Sequence, residues 1–240
     1  MIRWLIAFIL LALPGLAEPL SIGTESDFQP YVFMDESDVR DGYDVDLANL
    51  ICARGGFECS WIEVPFDQLF TGVATGQFDI AIGGIGTTPD RDLIVDWTRS
   101  YRRSDESIGS FAGLTDKVDF TTARIGVLGG STQMNILLEN GFDPKRYASN
   151  QAVLDALFIG EIDAFFGSRM YLSRIIDAGE TRLIELGSIT YDDQGPQIAV
   201  SKTNPELRDR LNVILDELDK SGAIAVIAAK WFPQPEQSDL

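Results

Sequence analysis

Gly76-Gln77-Phe78-Asp79-Ile80-Ala81-Ile82-Gly83-Gly84-Ile85-Gly86-Thr87-Thr88-Pro89-Asp90-Arg91 holds a strand, a turn and a helix start in one short stretch. Phe78–Gly83 (Phe-Asp-Ile-Ala-Ile-Gly) is a mainly apolar stretch after Gly76, which reads as a buried strand. Thr88 followed by Pro89 reads as a helix cap with proline in the first helical position. The glycines between them allow a tight turn. Strand, glycine turn and capped helix form the repeating unit of parallel sheets covered by helices.

The same alternation extends to both sides. Upstream, Leu20–Thr24 reads as a strand. Val45–Arg54 reads as an amphipathic helix with Val45, Leu47, Leu50 and Ile51 apolar, ended by Gly55-Gly56. Cys59–Val64 is an expected strand, and Phe66–Thr75 a helix closed by Gly76. Downstream, a polar stretch at Arg102–Ser107 interrupts the pattern, which then restarts. Strands are expected at Arg124–Leu128, Ala164–Phe166 and Leu183–Leu186. Helices are expected at Ser131–Asn140, Gln151–Ile159 and Met170–Ala178. A second polar stretch, Tyr191–Gln197, precedes a strand at Ile198–Ser201 and helices at Pro205–Ser221 and Ile224–Phe232. The chain therefore reads as one α/β unit, a crossing, a second α/β unit and a crossing back.

Composition restricts what such a chain can do. Arg3 precedes an apolar run, Trp4–Leu13, of about ten residues, too short to span a bilayer. Pro14-Gly15 breaks the run, and Gly15-Leu16-Ala17 offers small residues for cleavage. Met1–Ala17 is therefore expected to be a signal peptide, with Glu18 as the mature start. The formal charge is −18, and loss of Arg3 takes it to −19. Such a surface repels nucleic acid and anionic lipid, and it serves solubility. There is no His and there are two Cys, which excludes His-dependent triads and zinc-hydrolase motifs; no cofactor or metal is expected. Export makes a Cys52–Cys59 disulfide plausible, worth roughly 2–3 kcal/mol by loop entropy. Two buried thiols are the alternative.

Three features can carry chemistry. The turn Gly83–Arg91 aims free N–H groups at the mouth of a capped helix, with Arg91 beside them. Dipole, donors and guanidinium suit a carboxylate. The plainer reading is a capped surface helix with a solvated Arg. Gly129-Gly130-Ser131-Thr132-Gln133 presents a second helix start, and it lacks the Lys of a phosphate-binding loop. Phe28 and Phe66 follow expected strands, at the strand ends where open α/β sheets place ligands. Core packing is the commoner role for Phe.

Taken together, stretches spread over the whole mature chain resemble the family 3 bacterial extracellular solute-binding proteins, the periplasmic receptors of polar amino acid ABC importers. They are Leu20–Thr24 with Phe28 and Pro30; Gly42-Tyr43-Asp44-Val45-Asp46-Leu47; Phe66–Leu69; Gly76-Gln77-Phe78-Asp79; Thr88-Pro89-Asp90-Arg91 with Val95-Asp96-Trp97-Thr98; Gly130-Ser131-Thr132-Gln133; Gly160-Glu161-Ile162-Asp163-Ala164; and Lys230-Trp231-Phe232. The resemblance implies an α/β Venus-flytrap fold of type II, with two lobes of mainly parallel sheet flanked by helices. Residues 18–104 and 195–240 would form one lobe and 105–194 the other, with hinges near the two polar stretches. It implies a monomer in the periplasm, a small carboxylate ligand and a membrane permease as partner.

The resemblance also assigns roles. Arg91 and amides near Gly84, Gly86 and Thr88 would bind a carboxylate from one lobe, with Ser131 and Thr132 completing the site from the other. Phe28 and Phe66 would stack on the ligand's body. The Cys52–Cys59 spacing matches a disulfide of the basic amino acid receptors. Two positions depart from the family. Gly86 stands where a Ser or Thr hydroxyl is usual, and Ser168 stands where an Asp pairs with the α-ammonium. A buried ammonium without a carboxylate is costly. Either Glu25, Asp192 or Asp193 supplies the acid, or the ligand has no free α-amino group. Ser168 alternatively caps the helix at Met170–Ala178. Two other functions remain: a sensory or accessory binding protein, and a cyclohexadienyl-dehydratase-like enzyme, for which Glu25 is the only evident acid.

Overall fold

A computed structural model describes residues 17–102, 107–191 and 194–232. The expected leader lies, apart from Ala17, outside the described residues. So do Asp192 and Asp193.

Two five-stranded sheets organise the described chain. The first contains β1 (Glu18–Thr24), β5 (Phe57–Glu63), β6 (Ile80–Ala81), β7 (Val95–Trp97) and β13 (Ala199–Ser201), in the order β5-β1-β6-β13-β7. The second contains β8 (Ser107–Gly113), β9 (Ile125–Leu128), β10 (Lys145–Tyr147), β11 (Ala164–Ser168) and β12 (Ile184–Tyr191), in the order β10-β9-β11-β8-β12. In the first sheet β13 runs against its neighbours and the other strands share one direction. In the second sheet β8 plays that part. Each reversed strand is the first one the chain makes on entering that sheet from the other. A three-stranded ribbon, β2 (Asp27–Phe28), β3 (Val32–Met34) and β4 (Arg40–Asp41), stands apart.

Helices cover the sheets: α1 (Tyr43–Gly55), α2 (Leu69–Thr75), α3 (Pro89–Asp92), α4 (Thr132–Glu139), α5 (Asn150–Phe158), α6 (Arg169–Asp177), α7 (Pro205–Lys220) and α8 (Ala223–Trp231). Strand alternation divides each core in two. Ile80 and Ile82 pack with α1 and α7, whereas Ala81 faces the α2 side. Phe165 and Ala112 face α5, whereas Phe166 and Phe111 face α4. Burial on both faces explains the unbroken apolar runs Ile80–Ile82 and Ala164–Phe166.

Most expected elements stand within a few residues of their observed positions. The Phe66–Thr75 helix begins as a 3-10 turn, Phe66–Gln68, before α2, and Gly76 closes it in a left-handed conformation. The strand expected at Phe78–Gly83 shrinks to Ile80–Ala81, because Ile82 onward already belongs to the turn. Strands β2, β3, β4, β7, β8 and β10 carry no clear signal in the sequence. β8 is the instructive one. Its Ser-Ile-Gly-Ser-Phe-Ala-Gly is poor in strand formers, yet it lies inside the sheet between β11 and β12. A Cβ on Gly109 would lie 2.3 Å from the Phe166 ring. The glycine is there to admit that ring.

Cys52 and Cys59 form a disulfide between the end of α1 and β5. Neither cysteine lines the cleft described next.

Candidate functional site

The site is built from the loops that follow β6 and β9. After β6 the chain turns at Gly84, whose φ is 63°. A Cβ there would lie 2.7 Å from the rings of Phe28 and Tyr31, so this turn requires glycine. Behind it, Asp44 of α1 is fully buried. Its Oδ2 accepts from the Gly84 N–H at 2.6 Å and from the Tyr101 hydroxyl at 2.9 Å. Asp44 thus holds the turn in place from inside the lobe.

The turn ends at α3. Thr88 caps it, its Oγ1 accepting from the Arg91 N–H at 3.3 Å, with Pro89 in the first turn. The cap leaves Arg91 only 5 % exposed. Its Nη1 donates to the Gly86 carbonyl at 2.6 Å and its Nη2 to the Gly130 carbonyl at 2.8 Å. The guanidinium lies 4.1 Å over the Phe70 ring and 5.4 Å over that of Phe66. Gly130 belongs to the loop after β9, so Arg91 ties the loops of the two sheets together. In that second loop the Ser131 hydroxyl donates to the Leu128 carbonyl at 2.7 Å and accepts from the Met134 N–H at 3.1 Å, capping α4.

Between the loops lies a cleft of about 380 Å³. Phe28, Phe66, Gly84, Gly86, Arg91, Ser131, Thr132 and Ser168, all singled out by sequence, line it. Phe28 stacks on Tyr31 (5.4 Å between centroids) and on Tyr171 (6.1 Å), whereas Phe66 packs edge-on to Phe70. The two phenylalanines belong to separate aromatic groups. Ser168 sits at the N-cap position of α6 without a side-chain cap bond, so its hydroxyl is not spent on the helix.

Two expected residues stand elsewhere. Thr88 is buried and its hydroxyl is engaged in the cap; it is not part of the cleft lining. Glu25 is buried at the end of β1 and also stands off the lining. Burial, and then the neighbouring Asp27 and Glu63, push its carboxyl up to about 7. Asp192 lies outside the described residues. The sequence reading missed Tyr31, Arg102, Arg169 and Asn150, which all line the cleft. Arg102 was hidden in the polar stretch read as a crossing, and Arg169 in a helix start.

The two halves also meet away from Arg91. Asp27 of β2 accepts through Oδ2 from the Gln151 N–H at 2.7 Å, in the first turn of α5. A carboxylate at a helix N-terminus is a favourable arrangement. On the other flank, Arg174 of α6 donates to the Trp231 carbonyl of α8.

The family model for bacterial extracellular solute-binding proteins, family 3, matches residues 20–234. The chain is 29% identical to an L-arginine-binding protein of Pseudomonas aeruginosa, over 95% of this chain and 93% of that one. It is 30% identical to an arginine-binding periplasmic protein of Mannheimia haemolytica, over 87% and 89%. Among solved structures, an arginine-specific periplasmic binding protein of Salmonella typhimurium superposes with a TM-score of 0.82 at 25% identity, over 90% of this chain and all of that one. A periplasmic His/Glu/Gln/Arg/opine family-binding protein of Silicibacter pomeroyi, solved with lysine, gives 0.82 at 24% identity, over 92% and 99%. These relatives are binding proteins by name.

Proposed function

The chain belongs to the bacterial extracellular solute-binding proteins of family 3, and from that premise we propose that it closes two lobes around a carboxylate-bearing solute lacking a free α-ammonium. It acts as a periplasmic monomer and hands the solute to the permease of an ABC importer. The lobes divide at 104/105 and 194/195, and the hinges lie near Arg102–Ser107 and Tyr191–Gln197.

The supporting observation is the seat of Arg91. Its fork is oriented by carbonyls of both loops at the mouth of the cleft, which suits planar recognition of a carboxylate. Binding groups split between lobes reward closure, since contacts to the second lobe exist only when the lobes meet.

The relatives' names point to arginine and lysine. Gly86 and Ser168 argue otherwise, because an α-ammonium there would meet neither a hydroxyl at 86 nor a carboxylate at 168. Glu25 has a carboxyl in the range useful for acid–base work, but a dehydratase needs an acid that touches its substrate, and Glu25 stands off the lining. The enzyme reading is therefore the weaker one.

Calorimetry on matched pairs tests the proposal: an amino acid against its deaminated or N-acylated analogue. The analogue is expected to bind more tightly. Tighter binding of the free amino acid overturns the reading and points to Glu25, Asp192 or Asp193 as the acid for a conventional, basic ligand. Ser168→Asp should shift the preference back towards free amino acids and weaken the native solute, which would then face an unpaired carboxylate.

A further inference from the structure

We propose that Asp27 is a latch that holds the two lobes shut without touching the solute; the proposal rests on the two-lobed receptor reading and not on the identity of the solute. Asp27 belongs to β2, in the lobe of residues 18–104, and it does not line the cleft. Its carboxylate reaches across the boundary to α5 and α6 of the other lobe.

The start of α5 explains the attraction. The first N–H groups of a helix have no acceptor within it. Here the Ser149 hydroxyl accepts from the Ala152 N–H at 3.1 Å, which leaves the Gln151 N–H to an acceptor from outside the helix. Asp27 supplies that acceptor, Oδ2 lying 2.7 Å from the Gln151 nitrogen. Its Oδ1 accepts from the Tyr171 hydroxyl of α6 at 3.5 Å, and its carbonyl accepts from the Asn150 side chain at 3.4 Å. Burial raises the Asp27 carboxyl, while the Gln151 and Tyr171 donors pull it down, so both stabilise the charged form.

Other contacts cross the same boundary. Phe28, the next residue, packs against the cores of both lobes, and Met170 of α6 packs against the core between the first sheet and α1 and α7. Arg174 of α6 donates to the Trp231 carbonyl at the end of α8. None of Asp27, Gln151, Tyr171, Arg174 and Trp231 lines the cleft. Their bonds need closed lobes and no solute. They favour closure before the solute arrives and must break before it leaves. They therefore slow release and raise affinity uniformly, and selectivity is left to the cleft.

The test is amide hydrogen exchange, read residue by residue by NMR, on the full mature protein freed of solute. No acceptor within α5 protects the Gln151 N–H, so it exchanges whenever Asp27 lets go. It is expected to exchange at least about ten-fold more slowly in the parent than in Asp27→Ala, the scale of a hydrogen bond to a charged group. Asp27→Asn keeps an acceptor oxygen without the charge. It should fall between the two, and it serves if Asp27→Ala fails to fold. The Ala152 N–H, held by Ser149 at the same helix start, should be unchanged, which separates release of the latch from fraying of α5. Arg174→Gln removes only the second bond and should also speed Gln151 exchange, because both bonds open with the lobes. Equal Gln151 exchange in the parent and the Asp27 variants overturns the latch, and so does a parallel change at Ala152. Faster exchange in Asp27→Ala with no effect of Arg174→Gln makes the contact a local one and overturns its coupling to closure. Each of these failures leaves the receptor reading in place, since solute binding at Arg91 is measured separately by calorimetry.

Discussion

Arg91→Ala should weaken binding of the solute by about 30- to several-thousand-fold, the cost of truncating one member of a buried charged pair. The far-ultraviolet circular dichroism should stay unchanged. Arg91 is 5 % exposed and its guanidinium is fixed at two carbonyls and over two rings. The fork is thus oriented before the solute arrives, and the lost affinity includes the benefit of that preorganisation. The same change removes the hydrogen bond to the Gly130 carbonyl, so closure should suffer with binding. Arg91→Lys keeps the charge without the fork and should fall between the two. An unchanged dissociation constant in a folded Arg91→Ala variant would remove this residue from the site.

Stability should fall as pH rises from about 4.5 to about 8, the reverse of ordinary acid denaturation. Glu25 is pushed up to about 7, first by burial and then by Asp27, and Asp44 is pushed up to about 7 chiefly by burial. In both, the folded value lies above the unfolded one. Between the two values the native state holds protons that the unfolded state has released. Stability therefore declines across that window and levels off above the folded value. A full shift of this size corresponds to about 3–4 kcal/mol per group. Opposite behaviour comes from Glu161, Asp163 and Glu180, lowered by hydrogen bonds from Lys145, Arg124 and Arg182. Their contribution is present above the unfolded carboxyl value and lost as pH falls through the folded one. These pairs are exposed and weigh little. Glu25→Gln should match the parent near pH 4 and melt at a higher temperature at pH 8. If the parent is more stable at pH 8 than at pH 5, and Glu25→Gln changes nothing, the burial argument fails.

Much of this was legible in the sequence because it is local. Thr88-Pro89 caps α3 wherever it occurs, and Ser131 caps α4 by the same chemistry. The glycine turns and Arg91 could be paired with a carboxylate from residue type alone. What stayed hidden depends on three dimensions. Gly109 weakens the strand signal of β8 in order to admit Phe166, a neighbour 57 residues away. Arg102 and Arg169 come together only when the crossing and the start of α6 face one cleft. Glu25 is one of the acids the sequence offers for an ammonium, yet packing seats it off the cleft lining. Asp44 was recognised as part of a motif, while its hold on the Gly84 N–H and the Tyr101 hydroxyl emerges only from the fold.

The most direct measurement is a crystal structure of the protein with its solute bound. The expected result is a carboxylate within hydrogen-bonding distance of the Arg91 guanidinium, contacted by the loop after β6 on one side and the loop after β9 on the other, with both lobes closed on it. A solute bound outside that cleft, or bound within it without contact to the Arg91 guanidinium, would contradict the account.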